Sequence, residues 1–153
     1  MGVADGLLLL TALVCIASSQ EFLYTHDGAK PLKPGSTTDV SKNDPGVQKA
    51  VKTATYYFNN RSNDIFVFRA SSIDDAKKQV VKGVKYILEV EISRTVCRKR
   101  GHPDPDNCDF QPNGILKQTF RCHFEVWSIP WLHQMETTFF SCVPQQRLFT
   151  LER

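Results

Sequence analysis

The spacing of apolar side chains changes once along this chain, and that change limits the fold more than any other feature. Val47, Ala50, Val51, Ala54, Tyr57 and Phe58 recur at three- and four-residue intervals, the stripe of a helix with one buried side. Asn43-Asp44-Pro45 supplies a capping side chain and a first-turn proline, and Asn59, Asn60 and Asn63 read as the helix end. Beyond them the period becomes two. Ile65 to Ala70 is rich in β-formers, and Ser71 to Lys78 is polar and ambiguous. Val84, Tyr86, Leu88, Val90 and Ile92 alternate with Lys85, Glu89, Glu91 and Ser93, which predicts a strand with one wet face. Ile115 to Trp127 and Leu132 to Cys142 read as a last hairpin across Pro130-Trp131. The expected class is therefore α+β, with one long helix packed on a four- to five-stranded antiparallel sheet.

The ends of the chain read differently. Leu7 to Ile16 is almost wholly apolar and is followed by Ala17-Ser18-Ser19, so residues 1–19 are expected to be a signal peptide. That run is too short to span a bilayer. Residues 20–43, with Gly28, Pro31, Pro34 and Gly35, are expected to form a flexible N-terminal arm. The folded domain is expected over 44–143 and a short tail over 144–153. Secretion is the expected destination, with endosomes or lysosomes also open.

Secretion settles the cysteine arithmetic. Of five cysteines, Cys15 leaves with the signal, and Cys97, Cys108, Cys122 and Cys142 stay. An even number in a secreted chain reads as two disulfides, with three pairings to choose from. Sequential pairing closes the shortest loops, but spacing does not decide it. A hairpin turning near Pro130 would set Cys122 opposite roughly residue 137, so pairing it with Cys142 requires a bulge or a frayed strand end.

Several function classes drop out. The spacing lacks the Cys/His pattern of a zinc site, and no metal or other cofactor is expected. His26, His102, His123 and His133 are scattered and the cysteines are expected to be oxidised, so no nucleophile–base pair is visible. The chain is not expected to be an enzyme. The net charge is only +3, and the basic cluster Arg94, Arg98, Lys99 and Arg100 has no interleaved aromatics, which argues against nucleic acid. No membrane partner is expected either.

What is left are binding elements. Gln79-Val80-Val81-Lys82-Gly83 is an apolar stretch closed by glycine between two strand-like runs, and Pro130-Trp131 is a turn carrying a large ring. Taken singly, each has a plainer reading, as an ordinary hairpin or a packed aromatic. Taken in order, Gly35 in an extended arm, the Gln-x-Val-x-Gly loop, the late Pro-Trp and the cysteines resemble the type 2 cystatins over essentially the whole mature chain, from about Gly35 to Cys142. The resemblance implies reversible, tight-binding inhibition of papain-like cysteine proteases, the cathepsins among them. In that family an arm and two hairpin tips fill the active-site cleft. The implied contacts are Gly35, Gln79, Val80, Val81, Lys82, Gly83, Pro130 and Trp131. Within them Gln79 is expected to hold the loop shape, Gly83 to allow close approach, and Trp131 to anchor in an apolar pocket. Leu32, Lys33 and Pro34, just before the hinge, are poor fillers for apolar subsites, so the arm is expected to contribute modestly.

Two further sites sit near the helix exit. Asn60-Arg61-Ser62 is an N-glycosylation acceptor. Ser62-Asn63-Asp64 resembles the separate legumain-binding loop of some type 2 cystatins, with a helix C-terminal cap as the competing reading of Asn63. Disulfide-linked dimers known in the family use cysteines in the arm and near the helix exit. This chain has none between Cys15 and Cys97, so a monomer is expected. The alternative function is a non-inhibitory carrier or immune-signalling protein on the same scaffold.

Overall fold

The computed structural model describes residues 35–145, which form a five-stranded antiparallel meander in the order β1-β2-β3-β4-β5. The strands are β1 (Thr37–Asp39), β2 (Phe66–Val81), β3 (Gly83–Arg98), β4 (Thr119–Ile129) and β5 (Gln134–Pro144). One helix, α1 (Pro45–Arg61), lies between β1 and β2 in sequence and packs on one face of the sheet. The expected signal peptide and the first part of the expected arm lie outside the described residues, as does most of the tail. Thr37–Asp39, within the stretch read as an arm, pairs with Gln79, Lys78 and Lys77 as an edge strand.

Helix α1 starts where its capping chemistry says it should. The Asp44 carboxylate accepts from the Gly46 and Val47 amides at 2.7 and 3.3 Å, and Pro45 takes a position whose missing N–H costs nothing. The stripe Val47, Ala50, Val51, Ala54 and Phe58 is buried, with Tyr57 half-buried at its margin. It meets Leu88, Val90 and Ile92 of β3 and Phe124 and Val126 of β4, all fully buried. Phe58 stands edge-on to Phe68 at 5.3 Å, and each such buried ring contributes about 1.5–3 kcal/mol.

Asn59 and Asn60 do not end the helix, which runs on to Arg61. Asn59 is buried: its Oδ1 accepts from the Phe68 amide at 2.7 Å and its Nδ2 donates to the Phe68 carbonyl at 2.8 Å. One side chain thus pins the last helical turn to β2. Asn59→Ala would leave both Phe68 groups without that partner, and we expect it to lower stability by about 2 kcal/mol. A urea denaturation curve unchanged in midpoint would contradict this.

The ambiguous Ser71 to Lys78 run belongs to β2, continuous from Phe66 to Val81 apart from bulges. Its polarity follows from position. Strand β1 and its flanking residues bond β2 from Ala76 to Val80, so Ser71 to Asp75 lies on an open edge, where charged and hydroxyl side chains discourage pairing with another chain. Ser71 Oγ donates to Glu91 and Lys77 pairs with Asp75, both on the wet surface.

The last hairpin starts later than the β-formers suggest. Residues 114–117 make a turn in which the Lys117 amide donates to the Gly114 carbonyl, and Ile115 is 99% exposed. Pairing of β4 with β3 begins only at Thr119 opposite Ser93. Cys122 lies opposite Cys142 for two reasons. The turn is centred beyond Pro130, with Ile129 opposite Gln134, and a one-residue bulge falls between Glu125 and Val126. Both bonds are sequential, Cys97–Cys108 and Cys122–Cys142, with Cα separations of 5.9 and 4.1 Å.

Candidate functional site

The β2–β3 hairpin turns on a single residue, Lys82, between the paired Val81 and Gly83. Val81 and Lys82 are exposed, whereas Gly83 is buried. Gly83 has φ +109°, a region open to glycine and strained for other residues. A Cβ there would stand 2.4 Å from the Ser128 carbonyl oxygen and 3.1 Å from the Trp127 indole nitrogen. The sequence reading credited this glycine with room for a partner's approach. The structure gives a nearer cause: strand β4 lies too close for any side chain.

The start of the described chain joins the same end of the sheet. The Gly35 amide donates to the Val80 carbonyl at 3.1 Å, and the Gln79 side-chain amide donates to the Gly35 carbonyl at 2.7 Å. Gln79 was expected to hold its own loop in shape. It holds Gly35 instead, because β1 runs antiparallel beside β2 and sets Thr37 opposite Gln79. Gly35 itself has φ +85° and open space around it, so glycine serves torsion there and not packing.

The β4–β5 connection completes the edge. Pro130–Leu132 forms one 3₁₀ turn, closed by the His133 amide on the Pro130 carbonyl at 3.1 Å, and His133 takes a left-handed conformation with φ +53°. Proline opens that turn, where its fixed φ fits and its lack of an N–H does no harm. Trp131 is 62% exposed and Leu132 55% exposed, so the ring is not part of the core. Val84 is opposite Ser128, three residues before Trp131, so both hairpin turns emerge at one end of the sheet. Gly35, Gln79, Val80, Val81, Lys82, Gly83, Pro130 and Trp131 therefore gather along a single edge.

Trp127, Ser128 and Leu132 belong to this edge and were not singled out from the sequence. The Trp127 indole N–H donates to the Lys82 carbonyl at 2.9 Å. Strict alternation along β4 (Cys122, Phe124, Val126 and Ser128 buried) was the available signal, since it turns Trp127 to the other face.

Asn60 and Asn63 lie at the opposite end, where Phe66 pairs with Arg98. Both side chains are exposed. The backbone that carries them is tied from several sides. Lys99 Nζ donates to the carbonyls of Asn59 and Ser62 at 2.6 Å each, while Asp64 accepts from the Phe66 amide at 2.9 Å and pairs with Arg94. Burial pushes the Lys99 ammonium below its ordinary pKa, with the Asp64 charge opposing. The helix ends at Ser62, whose amide donates to the Phe58 carbonyl, so Asn63 stands one residue beyond the cap. No group of metal-ligating side chains occurs among the described residues.

The family model for the cystatin domain matches residues 35–131. The chain belongs to the cystatin family. Mouse cystatin-F is 46% identical over 147 residues, covering 89% of this chain and 98% of its own. Human cystatin-F is 49% identical over 111 residues, covering 72% and 77%. The crystal structure of dimeric human cystatin F superposes with a TM-score of 0.71 at 45% identity, covering 80% of this chain and 97% of that one. Cystatins are inhibitors of cysteine proteases and not enzymes, and this chain shares their domain.

Proposed function

We propose that this cystatin is a reversible, tight-binding inhibitor of papain-like cysteine proteases of the cathepsin kind, and that the edge from Gly35 to Trp131 is its contact surface. The observation that carries the reading is the exposure of Trp131, 62%, on a hairpin directly beside the Val81–Gly83 tip. A rigid aromatic with no partner in its own core is available to an apolar pocket. Val80 and Val81 add apolar area, and Pro130 lowers the ordering cost of the second tip. Lys82 at the tip favours acidic cleft rims. On this reading two turn tips fill the cleft without setting a peptide bond in line for attack. Titrating papain with the purified protein tests this: stoichiometric, reversible loss of activity is expected, and full residual activity at micromolar inhibitor would refute it.

A second contact is favoured by a specific observation. Asn63 is exposed on backbone held by Lys99, Asp64 and Arg94, as a loop offered to an asparagine-specific protease should be. On this reading Asn63 binds legumain at the end remote from the papain edge, and a glycan on Asn60 crowds it. Asn63→Ala is then expected to abolish legumain inhibition and leave papain inhibition intact, and enzymatic deglycosylation is expected to strengthen legumain binding. An unchanged inhibition constant for Asn63→Ala counts against this site, and one unchanged by deglycosylation counts against the crowding.

The same reading makes the protein a secreted monomer with access to endosomes and lysosomes. The human neighbour is dimeric, but no cysteine lies between Cys15 and Cys97 to link two copies of this chain through the arm or the helix exit. No helix among the described residues is long and apolar enough to cross a membrane.

A further inference from the structure

The first hairpin tip has little to hold it from within. Lys82 alone connects Val81 to Gly83, and both Val81 and Lys82 stand in solvent. Its restraint comes sideways, from β4. The Trp127 indole N–H reaches the Lys82 carbonyl at 2.9 Å, and the Ser128 carbonyl lies against Gly83 so closely that only hydrogen fits between. Trp127 is itself fixed. It sits half-buried opposite Lys85, whose ammonium is tied to Glu125 on the same face at 2.8 Å.

We propose that Trp127 is a positioning residue for the inhibitory edge: its indole N–H clamps the Lys82 carbonyl and keeps the Val81–Gly83 tip on one trajectory beside the second hairpin. This rests on the cysteine-protease reading of that edge and adds to it a residue that need not touch the protease. A tip already ordered in the free protein loses less freedom on docking, which lengthens the life of the complex. The clamp also links the two hairpins mechanically, because Trp127 and Trp131 share one strand and its turn.

The test replaces the donor and keeps the ring. Substituting Trp127 by β-(3-benzothienyl)alanine exchanges the indole N–H for sulfur at almost constant shape, and Trp127→Phe serves as the genetically encoded partner variant. In the free protein, backbone order parameters at Val81, Lys82 and Gly83 are expected to fall to the flexible range of about 0.6 or below, while those of α1 stay unchanged. Dissociation of the papain complex is expected to quicken about five- to tenfold, the worth of one neutral hydrogen bond, with association little altered. Unchanged order parameters overturn the clamp, and so does a loosened tip with an unaltered dissociation rate. If the unmodified protein fails to inhibit papain, the protease reading falls, and the order parameters alone then decide whether Trp127 positions the tip.

Discussion

Gly83→Ala is expected to weaken papain inhibition by about a hundredfold or more, a loss of about 3 kcal/mol. Two costs add at this position. The backbone sits at φ +109°, where a side-chain-bearing residue is strained by about 1–3 kcal/mol. The new methyl would also stand 2.4 Å from the Ser128 carbonyl, a backbone atom that cannot swing aside. Relief requires β3 to part from β4 at the Val84–Ser128 pair, which carries the Lys82 carbonyl away from Trp127. The tip and the Pro130-Trp131 turn would then no longer line up. Gly83→Glu should do the same more severely. Papain titration paired with urea denaturation checks the chain of cause: inhibition and stability should both fall. Full inhibition by Gly83→Ala would show that the first hairpin is not part of the contact surface.

Trp131→Ala should behave in the opposite way, costing binding and sparing the fold. The side chain is already 62% exposed, so its own domain gains little from it, and the change in stability should stay within about 0.5 kcal/mol. A buried aromatic anchor in an interface is worth about 2–4 kcal/mol on truncation, a weakening of roughly thirtyfold to a thousandfold. Most of that should be read in the dissociation rate, since a single apolar contact does little to steer encounter. The decisive comparison is with Asn59→Ala, where stability should fall while the contact edge is untouched. A Trp131→Ala protein that unfolds more easily yet inhibits normally would place the ring in a structural role and remove the anchor.

How much of this was legible in advance varied from residue to residue. The helix was plain because Asp44, Pro45 and the apolar stripe are local signals that agree with one another. The long alternation from Val84 to Ile92 fixed a strand and its wet face for the same reason. Asn59 was misread because Asn is usually a terminator, and its true partner, Phe68, belongs to the next strand. Ser71 to Lys78 looked ambiguous because the polarity of Ser71 to Asp75 reflects an open sheet edge, a fact about its neighbours. Cys122 and Cys142 could be paired only provisionally, since a turn centre and a bulge had to be known first. Among the site residues, Gln79 could be picked out but not its job, because Gly35 reaches it through β1 from far away in sequence.

The sequence by itself determined the α+β class, the position of the helix, the even number of cysteines beyond Cys15, and the ordered set Gly35, Gln79 to Gly83 and Pro130-Trp131. All of these are carried by neighbours along the chain, through periodicity, capping and short motifs. Only the tertiary structure decided that these segments meet at one end of a meander, that Gly83 is required by the Ser128 carbonyl, and that Trp127 holds Lys82. Contacts between strands depend on register and on turn geometry, and a shift of one residue would turn every side chain to the other face. Such information is absent from any single segment and exists only once the sheet has closed.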